Sequence, residues 1–284
     1  MLYFAYGSNL DAHNWTDWCT KKGFDPASLE PIGPAWLPDH EPVFHYERRL
    51  QRGGALDVKP SRGTATPGAL FAVHDWNGLR AKEGVTGGYY RPIEVTVLTA
   101  DGRAHVATTY TVCDERVGSF VPPGDEYRGF VSRGLALFGH SDVQFRAVAE
   151  GAAPAATPRT LFAYGTLMRG GRTHDLIAAH LRAPERPATL QGASLVRIDW
   201  YPGLILKEGE SVHGELFELF DAPAAVRELD PYEDFMGYGD ATSLYRRSLV
   251  RVDTESGPTL AWTYVFLGES EGLEHIASGR WRAP

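Results

Sequence analysis

Cysteine and methionine are scarce in this chain, two and three among 284 residues. Cys19 and Cys113 show no metal-binding or redox spacing, so they favour a reducing, cytoplasmic setting over a disulfide framework. No apolar run approaches the ~18–20 residues of a membrane-spanning helix. Leu2–Tyr6 reads as a core strand rather than the apolar part of a signal peptide. A basic excess is also missing. The net charge of −8 weighs against nucleic-acid or anionic-membrane partners, which take a basic face, without excluding a local basic pocket. The familiar catalytic strings are absent too. Without G-x-S-x-G, and with no repeated cysteine, a covalent nucleophile is not expected. Ten histidines show no H-E-x-x-H or comparable spacing, so nothing motivates a metal, and single histidines such as His74 or His213 read as packed or surface residues. No Walker-type or G-x-G-x-x-G loop cradles a nucleotide. No expectation of a cofactor follows.

What the chain does contain is a stretch written twice. Leu2–Leu10 reads LYFAYGSNL, and Leu161–Met168 reads LFAYGTLM. Phe4-Ala5-Tyr6-Gly7 and Phe162-Ala163-Tyr164-Gly165 are identical, and Ser8 and Thr166 each add a hydroxyl. An apolar, aromatic run of this length is a buried strand. The glycine after it permits a turn or a close approach, and the amides that follow can form a concave anion-binding nest. One copy alone is ordinary strand-and-turn chemistry. The second copy carries further landmarks behind it in the same order. Gly68–Phe71 is answered by Gly214–Phe217, Glu83 by Glu233, Tyr90-Arg91 by Tyr245-Arg246, and Tyr110 by Tyr264. The offset drifts between 146 and 158 residues, as expected of two homologous domains separated by loop insertions.

The expected boundaries are a first domain over residues 1–148, a small, Pro-rich linker over 149–159, and a second domain over 160–284. In the first domain, Asp11–Lys22 has helical character, with Asn9 or Asp11 as its cap. Phe24–His40 is rich in proline and reads as loop, and Arg48–Gly54 reads as a turn. Trp76–Lys82 forms a short helix that delivers Glu83. Tyr90–Leu98 and Ala104–Val112 form a hairpin about Asp101-Gly102. Pro122–Gly139 and Val143–Glu150 read as loop then helix. In the second domain, His174–Leu181 is a helix candidate, and Pro223–Leu229 forms a helical turn that delivers Glu233. Tyr245–Val252 and Thr259–Phe266 form a hairpin. Many short strands and few helices imply a small β-barrel or strongly bent sheet with flanking helices. Glu83 and Glu233 each lack a second acid at fixed spacing, so paired-carboxylate glycoside hydrolysis is not supported. Each could serve as a lone acid/base tuned by burial.

FAYGSNL, the strand of Gly53–Lys59, GALFAV, KEGVTGGYYRPIEVTV and PPGDEYRGFVSRGLALFG resemble the γ-glutamylcyclotransferase family over nearly all of residues 1–148. LFAYGTLMRGG, YPGLI, VHGELFEL, ELDPYED, YRR, WTYVFL and SGRW resemble its γ-glutamylamine cyclotransferase branch. The resemblance implies an α+β chain of two tandem γ-glutamylcyclotransferase-like domains, each a small mixed β-barrel with flanking helices. It also implies a reaction. The α-amine of a small γ-glutamyl substrate attacks its own γ-carbonyl, releasing 5-oxoproline and an amine or amino acid, with no cofactor. By the resemblance, Glu83 and Glu233 move protons, and Tyr6, Gly7, Ser8, Asn9 and Leu10 wrap the glutamyl part. Tyr110 and Tyr127 line the pocket; ordinary packing with a wet hydroxyl is the alternative for both. In the second half, Tyr164, Gly165, Thr166, Leu167 and Met168 take the place of the first loop.

The halves differ near the acid. Glu233 is followed by Asp234 where Glu83 has Gly84, and Leu167 stands where the first half has Asn9. Asp234 could raise the proton affinity of Glu233, or point to solvent. One half or both could act, the first being the stronger candidate. A hydrolase or amidotransferase on the same scaffold, or a γ-glutamyl-binding module without turnover, are the alternative functions.

Overall fold

The computed structural model of the chain describes residues 1–47 and 53–282. Most of the turn expected over Arg48–Gly54 lies outside the described residues. The chain forms two compact units, one of residues 1–61, 65–97 and 105–155, the other of residues 62–64, 98–104 and 156–284.

In the first unit, β1 (Leu2–Ala5), β2 (Leu29–Val43), β3 (Asp57–Val73), β4 (Tyr90–Leu98) and β5 (Ala104–Val112) close a barrel in the order β1-β3-β2-β4-β5. Four helices flank it: α1 (Ala12–Lys22), α2 (Asn77–Lys82), α3 (Asp125–Leu137) and α4 (Val143–Ala149). Asp11 caps α1, its carboxylate accepting the Asn14 amide at 2.8 Å, and Gly23 ends it in the left-handed conformation.

In the second unit, β6 (Thr160–Ala163), β7 (Arg186–Arg197), β8 (Pro202–Glu218), β9 (Tyr245–Asp253) and β10 (Thr259–Phe266) repeat that order, and pairing of β7 with β9 closes the ring. A short β11 (Glu274–His275) lies outside on β7. The helices are a single turn, α5 (Asp175–Ala178), and α6 (Ala222–Tyr232), which is capped by Asp221 and has proline in its first turn. The chain is therefore an α+β protein of two small mixed barrels, a tandem duplication.

The duplication reaches individual bonds. Each barrel closes where its first strand runs parallel to its last, β1 on β5 and β6 on β10, with one registered pair apiece. Side chains reinforce both seams. The Thr109 hydroxyl donates to the Phe4 carbonyl at 2.8 Å, and the Thr263 hydroxyl donates to the Phe162 carbonyl at 3.0 Å. The Tyr6 hydroxyl donates to the Tyr110 carbonyl at 2.6 Å, and the Tyr164 hydroxyl to the Tyr264 carbonyl at 2.7 Å. Tyr90 holds the Leu56 carbonyl at 3.0 Å, and Tyr245 holds the Pro202 carbonyl at 2.9 Å.

Three expectations need correction. Pro122–Gly139, read as loop, holds the 13-residue α3. The proline-rich Phe24–His40 is not loop, because most of it belongs to the 15-residue β2. The ladder to β3 shifts register between Pro31 and Gly33 and between Pro38 and His40, and Asp39 takes a positive φ of 55°. Such irregularities let residues without an N–H sit inside a strand. His174–Leu181 shrinks to the four residues of α5.

Gly68 and Gly214 occupy the same place in each barrel, where β3 and β8 cross their first strands. A Cβ on either would fall inside the van der Waals radius of a carbonyl oxygen, Ala5 for Gly68 and Ala163 for Gly214. Gly68→Ala and Gly214→Ala are each expected to cost about 1–3 kcal/mol, the usual penalty of overpacking. Urea unfolding of the full chain checks this, and a variant as stable as the parent would show that the strands have room to part.

Candidate active site

Glu83 follows directly on α2, its amide donating to the Leu79 carbonyl at 2.9 Å. The next residue, Gly84, is left-handed at φ 63°, and a side chain there would strike the Tyr89 ring. The helix end and this turn present the Glu83 carboxylate to a cavity of about 590 Å³. Opposite lies the loop after β1, a tight turn closed by the Leu10 amide on the Gly7 carbonyl at 3.0 Å. Asn9, only 5% exposed, bridges the two: its amide nitrogen donates to Glu83 Oε1 at 2.7 Å and to the Tyr3 hydroxyl at 2.9 Å. Asn9 Oδ1 is buried and has no hydrogen-bond partner among the described residues.

Tyrosines form the wall of the cavity. Burial, then the Glu83 charge, raises the Tyr3 phenol well above its ordinary value and pushes Tyr110 up to about 12. Burial and Asp57 act likewise on Tyr6. All three stay protonated, and the Tyr6 hydroxyl donates to the Tyr110 carbonyl. The Tyr127 hydroxyl accepts the Leu56 amide at 3.1 Å and would lie 3.3 Å from a Cβ on Gly7, so glycine there keeps the approach open. Beneath the wall, the buried Asp57 carboxylate takes His45 Nε2 at 2.6 Å and the Thr111 hydroxyl at 2.9 Å, anchoring the start of β3.

The second unit builds the same cavity on a smaller scale, about 210 Å³. Glu233 ends α6 with its amide on the Leu229 carbonyl at 2.9 Å. The residue after it is again left-handed, but here it is Asp234 at φ 48°. Aspartate is among the few side chains that tolerate this region. The turn after β6 closes with the Met168 amide on the Gly165 carbonyl at 3.1 Å. Tyr164, Tyr245 and Tyr264 line the cavity with phenols raised mainly by burial. Burial, then the charges of Asp234 and Asp230, lifts the half-buried Glu233 to about 8.

Of the expected residues, Tyr6, Gly7, Ser8, Asn9, Glu83, Tyr110 and Tyr127 line the first cavity. Tyr164, Gly165, Thr166, Leu167 and Glu233 line the second. Leu10 does not reach the first: it is 1% exposed, in the core, against Gly134 of α3. Met168 packs against the second barrel's core instead of lining its cavity. In each case it is the residue whose amide closes the turn that packs away from the cavity. The motifs did not flag Tyr3, Leu56 and Trp18 in the first cavity, or Trp200, Tyr201 and Tyr232 in the second. Tyr3 alternates with the buried Phe4 and was legible as the strand's other face. Trp200 and Tyr201 sit in a loop with no repeated counterpart.

One Ser–His–Glu cluster on the second unit is not a catalytic triad. Ser194 and Glu210 both meet His275 at the same nitrogen, Nε2, at 2.8 and 2.7 Å. A relay needs the acid on the other ring nitrogen.

Residues 161–283 match the family model described as gamma-glutamyl cyclotransferase, AIG2-like. The chain is 30% identical over 122 residues to the Escherichia coli gamma-glutamylcyclotransferase family protein YtfP, covering 43% of this chain and 94% of that one. The chain belongs to the γ-glutamylcyclotransferase family. It is also 33% identical over 106 residues to the gamma-L-glutamyl-butirosin B gamma-glutamyl cyclotransferase of Niallia circulans, 37% of this chain and 65% of that protein. It therefore spans just under two thirds of that relative. A solved γ-glutamyl cyclotransferase aligns with 55% of this chain and 89% of its own at 24% identity and TM-score 0.45. Bacillus subtilis YkqA aligns with 94% of this chain and 84% of its own at 18% identity and TM-score 0.38. Among the described residues, no helix is long and apolar enough to cross a membrane.

The raised pKa of Glu233 has a sign for stability in this cyclotransferase-family chain. Between the ordinary glutamate value of about 4.3 and about 8, the folded chain holds a proton that the unfolded chain has lost. Stability must then fall as pH rises through that window. Glu233→Gln removes the charge that burial opposes. The variant should gain melting temperature relative to the parent at pH 9 but not at pH 5. Parallel thermal melts at both pH values check this, and an equal difference at both would show that Glu233 ionises freely.

Proposed function

We propose that the chain is a γ-glutamyl cyclotransferase. In this reading its domains, 1–148 and 160–284 joined by 149–159, each release 5-oxoproline from a γ-glutamyl amino acid, amine or γ-glutamyl-protected metabolite. One observation carries the reading: in each unit a glutamate at a helix end faces a glycine turn across a cavity walled by tyrosines. That arrangement suits an intramolecular attack, in which the protein chiefly holds a reactive conformer and moves protons.

In the first half, the amides of Gly7, Ser8 and Asn9 and the hydroxyls of Tyr110 and Tyr127 would hold the glutamyl carboxylate or the developing oxyanion. The α-ammonium would lie at Glu83 and give it a proton. The freed amine forms a C–N bond to the γ-carbonyl carbon, and the bond from that carbon to the leaving nitrogen breaks. The proton on Glu83 goes to the leaving nitrogen, and the regenerated carboxylate then passes the ring nitrogen's second proton to the released amine, which departs as an ammonium. Asn9, bonded to Glu83 Oε1, fixes the carboxylate for these transfers. The reaction needs no cofactor. The unbridged Cys19 and Cys113 suit a reducing, cytoplasmic setting.

The test is mass-spectrometric detection of 5-oxoproline from γ-glutamyl-alanine, γ-glutamyl-ε-lysine, glutathione and a γ-glutamyl aliphatic amine. Replacing the acid of an active half, Glu83→Gln or Glu233→Gln, should lower that half's turnover by roughly 10²–10⁴. Undiminished release by the double variant overturns the reading. Glutamate in place of 5-oxoproline would mean that water attacks, and the scaffold would then be a hydrolase. Ligand-induced melting shifts with no product would mean a binding module.

A further inference from the structure

The two acids sit in surroundings of opposite sign. Leu79-Arg80-Ala81-Lys82-Glu83-Gly84 in the first half stands opposite Leu229-Asp230-Pro231-Tyr232-Glu233-Asp234 in the second. Arg80 is replaced by Asp230, Lys82 by Tyr232 and Gly84 by Asp234. The amide that donates to Glu83 comes from Asn9, and its counterpart is Leu167, which has nothing to donate. Four positions around the acid have therefore changed, each in the direction that favours a neutral carboxylic acid. The change at Asp234 also works against the backbone. Both halves need a left-handed residue there, and Gly84 supplies it without strain at φ 63°, whereas Asp234 does so at φ 48° with a side chain.

Groups on the other elements do not reverse the balance. From α6, Asp230 is fully buried, its Oδ2 accepting Arg62 at 2.8 Å and Arg247 of β9 at 3.1 Å, its Oδ1 accepting the Tyr264 hydroxyl of β10 at 2.7 Å. Both guanidiniums thus end on Asp230, not on Glu233. Tyr164 of β6, Tyr245 of β9, Tyr264 and the loop residue Tyr201 face the cavity as neutral phenols, with Tyr232 at the end of α6. Among the described residues, no side-chain donor is bonded to Glu233.

We propose that Asp234 is a positioning residue whose charge adds to the burial of Glu233 in the shared cavity, so that the second half turns over in an alkaline window that the first half does not share. The proposal rests on the cyclotransferase reading for its effect on turnover, but not for the state of the acid. An ammonium-bearing substrate meets a proton already in place on Glu233. The base form that must accept the ammonium proton is populated only as pH rises, and the rate of the second half rises with it.

The test uses the full chain carrying Glu83→Gln, so that only the second acid reports. Carboxyl ¹³C NMR follows Glu233, its signal identified by loss in Glu233→Gln. Asp234→Asn removes the charge and retains a side chain that tolerates the left-handed region. Asp234→Gly reproduces the first half. The expected midpoint in the Glu83→Gln chain is near 8, falling by roughly 0.5–1 pH unit in both variants, the effect of one nearby, partly screened charge. 5-Oxoproline release should rise through the same midpoints, with the variants faster than the Glu83→Gln chain at pH 7. A midpoint below 6 in the Glu83→Gln chain, or one that Asp234→Asn leaves in place, overturns the proposal. If the NMR midpoints shift as expected but no 5-oxoproline forms at any pH, the protonation assignment stands and the cyclotransferase reading of the second half falls.

Discussion

The rest of each half depends on the seam where first and last strands meet in parallel. A parallel pair with one registered position offers little main-chain bonding of its own. Threonine and tyrosine hydroxyls bonded to main-chain carbonyls make up the deficit, at Thr109 and Tyr6 in one barrel and at Thr263 and Tyr164 in the other. These bonds tie the end of the first strand to the strand beside it. The glycine turn that follows Tyr6 or Tyr164 therefore starts from a fixed point. A loop held in this way can present backbone amides to a substrate without first ordering itself, and that lowers the cost of binding.

The acid is delivered by a second device, a helix end followed by one left-handed residue. The helix fixes the distance of the carboxylate from the barrel, and the left-handed residue turns the chain away before it can cover the cavity. The two halves keep this geometry and alter only what surrounds it. Chemistry is thereby separated from architecture: the seam and the helix end are repeated, while charge, cavity volume and rim are not. The first cavity is the larger, with Lys21, Lys22 and Trp18 of α1 in its lining. The second is narrower and has Trp200 and Tyr232 in its lining, each more than a third exposed.

Much of this was legible in the residues. The repeated FAYG run placed both first strands, and both acids lie in the cavities to which the repeat assigned them. Asp11, one of the two caps the sequence offered for α1, is the one that caps it. What escaped notice has physical reasons. Pro31, Pro34, Pro38 and Pro42 read as loop because a proline cannot donate to a ladder, yet register shifts accommodated them in β2. Leu10 and Met168 belong to the repeated turns, but each closes its turn with its amide and packs its side chain against the core. Trp200 and Tyr201 belong to the connection between β7 and β8, and although Tyr201 opens YPGLI, neither residue repeats in the first half, so repetition marked neither. The change from Gly84 to Asp234 was visible as a departure, but its left-handed backbone was not.

Each cavity is lined, among the described residues, entirely by side chains of its own unit. No lining residue is shared, so a substitution that alters one cavity leaves the lining of the other as it was. Covalent linkage nevertheless delivers the two in equal number from every translated chain, whatever the level of expression. One copy can then be held constant by selection while its neighbour drifts toward a new leaving group. The ratio of the two would change only through the turnover of each.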